Sequence, residues 1–258
     1  MHRRLVLQEP VSRAALWSRR LAWFAVLVLA LSLLLVRLRE PSLEGLAPVA
    51  AAYAVVLAAL VLAVIAFAGI WRQGYRGVGM AASASLICVL LLLPAGYLGY
   101  LFATRPALSD VSTDAEDPPG FARSQAVLKA RAGHVPPDVP PEQRRLQRRA
   151  YPKALPLLLD LPAETAFAMA QKAATALGWQ VLEATRPGGR SGAGRVEAIA
   201  RGRALRFAED ITIRIRPRVG GSRIDIRSSS RLGGHDLGAN AARIAAFAAE
   251  MEQLVESR

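Results

Sequence analysis

The sequence predicts an α+β protein in which three N-terminal transmembrane helices precede an antiparallel sheet of about five strands, packed by two helices on one face. Two observations carry this prediction. The N-terminal part consists of three long apolar runs, and the polar remainder shows strand and helix spacing in the order strand, helix, four strands, helix. A chain with 21% charged residues is rarely 53% hydrophobic unless its apolar residues are concentrated in such runs.

Residues 1–105 are predicted to form a membrane anchor. The expected helices are about 16–36, 46–70 and 78–102, each close to the ~20 residues that cross a bilayer. Apart from Arg19 and Arg20, which can snorkel to the headgroups, these spans contain no charged side chain and no histidine. Transporters and proton relays place such groups at membrane depth, so the sequence favours an anchor.

Small residues recur at helical spacing on two of these spans. They are Ala50, Ala54 and Ala58 on the second span, and Ala95, Gly99 and Ala103 on the third. Such stripes let helices approach closely. Two interpretations are open, namely packing of the three helices against one another or a docking face for a partner membrane protein.

The distribution of arginines predicts the orientation in the membrane. Seven flanking arginines lie on the side of the N-terminus and of the loop between spans two and three, and three lie on the other side. Short cytoplasmic loops carry the excess of positive charge. The abundance of Arg, Ala and Leu is typical of a GC-rich bacterial genome. We therefore expect a multi-pass protein of the bacterial inner membrane, with a cytoplasmic N-terminus and a periplasmic C-terminal domain.

After the anchor, residues 106–150 are predicted to form a Pro-rich extended arm and residues 151–258 an α+β domain. Proline pairs interrupt the arm three times, which favours irregular structure that straps across the domain. In the domain we expect an edge strand at 155–159, a helix at 163–177, strands at 179–185 and 195–201, a hairpin, and a final helix from Asp236 to about Val255 with Asp236 as its N-cap.

The hairpin has the clearest pattern. Five isoleucines (Ile211, Ile213, Ile215, Ile224 and Ile226) alternate with polar residues on both sides of a glycine pair. A two-residue turn at Gly220-Gly221 pairs Arg216 with Asp225 and Ile215 with Ile226. The isoleucines then share one face, which we expect to bury against both helices, and the arginines share the other.

Several stretches together resemble a known bacterial family. They are 110–114, 117–119, 151–152, 178–179, 194–198, 207–215, 221–225 and, longest of all, Arg227-Ser-Ser-Ser-Arg231 continuing through Asp236, Asn240 and Arg243. Over about residues 108–250 the chain is similar to the family called domain of unknown function fourteen ninety-nine. Its members often carry membrane helices ahead of the domain, and the resemblance implies no activity, cofactor or substrate.

The sequence favours a protein that is not an enzyme. Ser228–Ser230 with His235 and Asp236 suggest an alternative, an envelope hydrolase acting on lipid or cell-wall material. Residues so close in sequence seldom form a triad, and the chain has no Gly-x-Ser-x-Gly elbow. We expect no cofactor and no metal, because the three histidines are scattered and the only cysteine, Cys88, lies in a span.

Binding residues are predicted at two places. Arg195, Arg214, Arg216 and Arg227 lie on the polar face of the sheet, which is either a solvated, partly paired face or an anion-binding surface. Arg231, Asp236, Asn240 and Arg243 surround the start of the last helix, as a buried polar network or as a site for a small anion or peptide terminus.

The sequence thus predicts a membrane-anchored periplasmic binding or scaffold domain of the cell envelope, without catalysis. The bilayer itself is one partner, and an anionic lipid or an acidic envelope protein is the other expected partner. Nucleic acid is excluded as a partner by the predicted periplasmic location.

Overall fold

The computed structural model describes residues 9–38, 42, 44–188, 192–202 and 206–257. The chain forms two compact units, Met1–Tyr100 and Leu101–Arg258. Its helices are α1 (Arg13–Leu38), α2 (Ala47–Gln73), α3 (Val78–Thr104), α4 (Gln125–Ala130), α5 (Pro141–Ala150), α6 (Ala163–Ala176) and α7 (Ala239–Glu256). Its strands are β1 (Asp110–Ser112), β2 (Leu157–Leu159), β3 (Gln180–Thr185), β4 (Gly194–Arg201), β5 (Ala208–Arg218) and β6 (Gly221–Ser230).

The first three helices confirm the three predicted apolar spans. Each is long and apolar enough to cross a membrane. The segment before α1 is hydrogen-bonded to the turn between α2 and α3, with the amide of Ser12 2.9 Å from the carbonyl of Arg76. The start of α1 and the α2–α3 turn therefore lie at the same end, as three antiparallel crossings require.

Alanines pack these helices together, but they are not the alanines of the predicted stripes. Fully buried alanines lie on α1 (Ala22, Ala25), α2 (Ala59, Ala63) and α3 (Ala84). Ala50, Ala54 and Ala58 lie on another side of α2 and are exposed, as are Gly99 and Ala103 on α3. Internal packing by the α2 stripe is wrong, because Ala59 and Ala63 form the contact face of that helix. On α3, Ala95 is the one residue of the predicted stripe that is partly buried. The docking interpretation stays a prediction.

The C-terminal unit confirms the predicted fold class. Its strands form one antiparallel sheet in the order β1-β6-β5-β4-β3, and β2 pairs with β6 beside β1. From β2 to α7 the order is strand, helix, four strands, helix, as predicted. The sixth strand, β1, comes from the arm, where no strand was expected. β1 and β2 lie end to end along the same edge of β6.

The five hairpin isoleucines form the core of this unit, as the alternation predicted. They are at most 1% exposed and pack against both α6 and α7. Phe167 reaches them from α6, and Phe247 and Met251 reach them from α7. Trp179 stacks on Phe247, with 5.7 Å between the ring centroids.

The predicted hairpin register is wrong by two residues. The turn is Val219-Gly220, with Gly220 at φ 77°, so Ile215 lies opposite Ile224 and Arg216 opposite Arg223. Gly221 belongs to the strand because β2 passes directly over it, and a β-carbon there would overlap the carbonyl oxygen of β2's last residue. The shift is an even number of residues, so every side chain keeps its predicted face.

The arm is more regular than its prolines predicted. It contains β1 and the two helices α4 and α5. Ser124 caps α4 by accepting the amide of Val127 at 3.3 Å, and Pro141 occupies the first turn of α5, where its missing N–H costs nothing. Gln147 fixes α5 to β1 through two hydrogen bonds to the backbone of Ser112, at 3.0 and 2.6 Å. The arm crosses the polar face of the sheet.

Candidate functional site

Three arginines project from neighbouring positions of β5 and β6 on the polar face, and we call Arg214, Arg216 and Arg223 the arginine trio. All three contact the carboxylate of Asp225, which is fully buried. The nearest nitrogens of the three lie 3.1, 2.8 and 2.8 Å from its oxygens. One carboxylate cannot neutralise three guanidinium groups, so the sheet alone leaves an excess of two positive charges here.

The arm supplies the two missing negative charges. Asp114 lies 2.6 Å from Arg223, and Asp117 lies 2.9 Å from Arg214. Asp117 also accepts a hydrogen bond from Arg214 through its backbone carbonyl at 2.8 Å. Three aspartates therefore balance the arginine trio. Of the two interpretations that the sequence left open, the partly paired face describes the arginine trio, because carboxylates of the same chain occupy the place of an external anion.

Arg227 joins the arm to the sheet in a second place. Its guanidinium forms a bidentate pair with Asp110 of β1, at 2.9 Å through both Nε and Nη2, and donates to the carbonyl of Pro137 at 2.7 Å. Both charged side chains are nearly inaccessible. Arg227 also lies over the ring of Phe121, 4.9 Å from its centroid. A planar guanidinium suits this combination of bidentate pairing and stacking.

A third contact lies deepest, and we call it the buried ion bridge. Arg131 of the arm lies between Glu197 of β4 and Asp210 of β5, 2.8 Å from each, and all three side chains are fully buried. Its Nη2 donates to Glu197, whereas the contact of Nε with Asp210 is an ion pair without hydrogen-bond alignment. Arg131 also lies over the uncharged ring of Phe121, 5.0 Å from its centroid, which is the ring that Arg227 contacts.

Burial dominates the electrostatics of the bridge. Desolvation raises the pKa of Glu197 above its ordinary value. Arg131 opposes this rise, as do hydrogen bonds from the amide of Ala122 and the hydroxyl of Thr212, both at 2.9 Å. Asp210 is also bound by Arg231, at 2.8 and 3.0 Å, and by His134 at 3.0 Å. The arm thus neutralises carboxylates that the sheet buries.

The start of α7 differs from the prediction. The helix begins at Ala239, and Gly238 with φ 85° occupies the N-cap, so Asp236 is not the N-cap residue. A turn intervenes because Leu237 adopts φ 56°. The carboxylate of Asp236 still accepts the amides of Gly238 and Asn240, both at 2.8 Å. Burial raises the pKa of Asp236, and these two hydrogen bonds oppose the rise.

Asn240 is the centre of a buried polar network at this point. Its Oδ1 accepts the hydroxyl of Ser228 at 2.7 Å, and its Nδ2 donates to Ser230 and to the carbonyl of Ser109, both at 3.0 Å. Arg243 donates to Ser228 at 3.1 Å and forms an ion pair with Glu209. Burial lowers the pKa of Arg243 to about 10.

A comparison with known families identifies the family of this chain. A family model described as a protein of unknown function, DUF1499, matches residues 110–251, which is more than half of the chain. The chain belongs to the DUF1499 family. The match begins at the first residue of β1 and ends within α7, so it includes the arm as well as the sheet. No curated protein and no solved structure shows significant similarity to the chain.

The DUF1499 domain does not bring the suggested serine and histidine together. The hydroxyl of Ser228 is fully buried and bound to Asn240 and Arg243. Both ring nitrogens of His235 contact backbone instead, with Nδ1 accepting the amide of Leu237 at 3.0 Å and Nε2 3.1 Å from the carbonyl oxygen of Arg105. Among the described residues no hydrogen bond joins His235 to any of the three serines.

The other predicted binding residues differ in accessibility. Arg195 has a side chain that is 42% exposed, and its only ion pair in the described part of the domain is 4.0 Å long. Arg231 has a side chain that is 18% exposed and is bound to Asp210. The described residues contain no group of three or more His, Cys, Asp or Glu side chains that could hold a metal ion.

Arg131 could not be identified from the sequence, since an isolated arginine in a Pro-rich segment has no periodicity.

An apolar cavity of about 530 Å³ between α7 and the segment that connects α5 to β2 could not be identified from the sequence either. Ile226, Ile244 and Phe247 form its floor, and Tyr151 and Leu155 lie on the connecting segment. The volume falls within the range of about 300–1,000 Å³ that is usual for small-molecule sites.

Proposed function

We propose that this protein is a membrane-anchored binding or scaffold component of the bacterial cell envelope, and that its DUF1499 domain lies in the periplasm and has no chemistry of its own. The observation that carries the proposal is the mutual pairing of the domain's polar groups. A catalytic site needs groups aimed at a substrate. Here the arginine trio, the buried ion bridge and the network around Asn240 bind groups of the same chain.

The placement in the inner membrane is supported by the three apolar helices and the arginine distribution. In the sequence, seven arginines flank the spans on the side of the N-terminus and of the loop between α2 and α3, against three on the other side. Because the positive side stays cytoplasmic, an odd number of crossings puts the C-terminal domain outside.

The expected partner carries negative charge. Residues 106–258 contain 23 basic and 17 acidic side chains, a net charge of +6. The surface of an anionic membrane attracts such a domain, with about 1 kcal/mol for each Lys or Arg close to the surface. Anionic lipid, or an acidic envelope protein, therefore suits the domain.

Cysteine labelling tests the orientation. Cys88 is the only cysteine, so a Cys88→Ala background accepts single reporters. Val219→Cys places one on the hairpin turn, where the native side chain is 98% exposed, and Gln73→Cys places the matched control at the exposed end of α2. In cells with a permeabilised outer membrane, a membrane-impermeant maleimide should label the first and not the second. The opposite labelling pattern would overturn the periplasmic assignment.

A further inference from the structure

We propose that the apolar cavity beside α7 binds an acyl chain of an anionic membrane lipid, whose headgroup is held by Arg145, Arg149 and Lys153. This inference rests on the proposed function, because it requires a domain that works at a membrane surface. It names the ligand and the site that the proposed function leaves open.

The cavity has the shape of a channel for a chain. Ala241, Ala245 and Ala248 line it at successive turns of α7, followed by Glu252. The distance along the helix axis from Ala241 to Glu252 is about 16 Å at ~1.5 Å per residue. Small side chains along one side of a helix leave an elongated apolar space. The floor consists of core side chains, so an acyl chain placed there would be removed from water.

The cavity lies beside the part of β6 where the neighbouring strand changes from β1 to β2. β1 pairs with β6 as far as Arg227, and β2 pairs with β6 from Ile224 onward. Between them Thr113 alone continues the hydrogen bonding, with its amide and hydroxyl bound to Ile226 at 2.9 Å each. No strand in the described sheet covers the outside of this position, and the segment after α5 forms the wall instead.

Tyr151, a residue of the connecting segment that lines the cavity, carries a polar group without a described partner. Its hydroxyl oxygen is buried, lies close to Gly238 at the N-terminal end of α7, and has no hydrogen-bond partner among the described residues. A buried hydroxyl without a partner is unfavourable.

Positive charge without an internal partner lies next to the cavity. Arg144 and Arg148 of α5 contact Glu116. Arg145 and Arg149, one turn apart on the exposed side of α5, form no ion pair within the described part of the chain. Ala150 and Lys153, which follow them directly, line the cavity. Among these charged residues Lys153 and Glu252 line the cavity, whereas Arg145 and Arg149 lie outside its lining. The three cations outnumber the one carboxylate, so the charge around this apolar cavity is complementary to an anionic amphiphile.

A lipid is favoured over an apolar protein segment by the tether. Only residues 105–109 separate α3 from β1, and they span at most about 20 Å. Lipid is therefore always within reach of the domain. A protein segment would have to compete with that lipid for the apolar cavity.

Photo-crosslinking of the full chain in nanodiscs tests this site. The probe is phosphatidylglycerol with a diazirine in its acyl chain, and the crosslinked peptides are identified by mass spectrometry. We expect adducts in residues 150–157 and 241–252. Ala248→Phe fills the cavity and should lower these adducts about tenfold, equivalent to ~1.4 kcal/mol. Ala249→Phe, on an exposed alanine of the same helix that does not line the cavity, should leave them unchanged.

Two further measurements keep the test decisive. Ala245→Leu narrows the cavity at an exposed position and replaces Ala248→Phe if that variant loses protease resistance. The triple change Arg145→Gln, Arg149→Gln and Lys153→Gln should abolish the preference for phosphatidylglycerol over a phosphatidylcholine probe. Adducts that are confined to α1–α3, or that do not respond to either cavity-filling variant, would overturn the lipid site. A nanodisc presents lipid on both faces of the membrane, so the domain can reach the probe in either orientation. A negative crosslinking result is therefore independent of the orientation that cysteine labelling measures.

Discussion

Removal of the arginine of the buried ion bridge should destabilise the DUF1499 domain strongly. Arg131→Met keeps most of the aliphatic volume and removes the close charge partner of the fully buried Glu197, which then has only the half-exposed Arg195 at 4.0 Å. Breaking a buried pair by removing one partner costs about 3–5 kcal/mol. The whole stability of a domain is about 5–15 kcal/mol, so this single change removes a large share of it. Asp210 retains Arg231, which limits the loss on that side.

The loss should depend on pH with a definite sign. Burial raises the pKa of Glu197 above its ordinary value of 4.5, so the folded domain binds this proton more tightly than the unfolded chain. The contribution of Glu197 to stability is therefore greatest below its ordinary pKa and falls as pH rises through its folded pKa. Loss of Arg131 raises that folded pKa further. The destabilisation caused by Arg131→Met should thus be larger near pH 7.5 than near pH 5.

Pulse proteolysis in urea measures this effect on the full chain in detergent, with a C-terminal tag reporting the intact domain. A loss of about 4 kcal/mol with a urea dependence of about 2 kcal/mol/M moves the midpoint by about 2 M. Arg123→Met is the control, because Arg123 is an exposed arginine of the same arm and should change stability by less than about 0.5 kcal/mol. Equal midpoints for the two variants, or a loss at Arg131 that grows toward acid pH, would refute the reasoning.

Three further predictions use the same assay. Ile213→Asp should unfold the domain, since a buried unpaired carboxylate costs several kcal/mol. The control Arg218→Ser, at the rim of the sheet, should leave it folded. Equal protease resistance of the two variants would mean that the faces are reversed. Asp236→Ala should cost about 0.5–2 kcal/mol, because it removes the two hydrogen bonds that the carboxylate accepts from the amides of Gly238 and Asn240. Asp236→Asn should be intermediate, because its side chain has one acceptor oxygen for the two amides. An Ala variant as stable as the wild type would contradict the stabilising role of these two hydrogen bonds. Gly221→Ala should displace β2, because the added β-carbon would overlap its backbone, and should therefore destabilise the domain. Gly220→Asn should destabilise the domain less, because no atom lies within contact distance of a β-carbon at Gly220. The reverse order would show that the turn glycine is the critical one.

Local periodicity explains which parts of the fold could be predicted. The three apolar spans depend only on composition along short stretches, and the structure contains all three. The face on which each hairpin residue lies follows from the period of two along a strand. The predicted faces are correct despite the register error, because the error is an even number of residues. The order of strands and helices from β2 to α7 follows from the same local patterns.

Contacts between distant segments explain what could not be predicted. The register depended on Gly221 meeting β2, more than 60 residues earlier in the chain, and no local pattern encodes that approach. The start of α7 depends on a positive φ at Leu237, and a leucine in the sequence does not predict a positive φ. The predicted binding arginines were correctly placed on one face, but two of the three aspartates that pair with the arginine trio lie in the arm, about a hundred residues away.

The three-helix anchor, the α+β domain and the composition of each face of its sheet follow from the spacing of apolar residues along the chain, so they could be predicted without a structure. The pairing of the arginine face with the arm, the burial of Arg131 against that face and the apolar cavity beside α7 became known only when the segments were seen together in space. Charge pairing and cavities depend on which segments meet in space. A buried charge that is left unpaired costs several kcal/mol, so it is paired even when its partner is distant in the sequence.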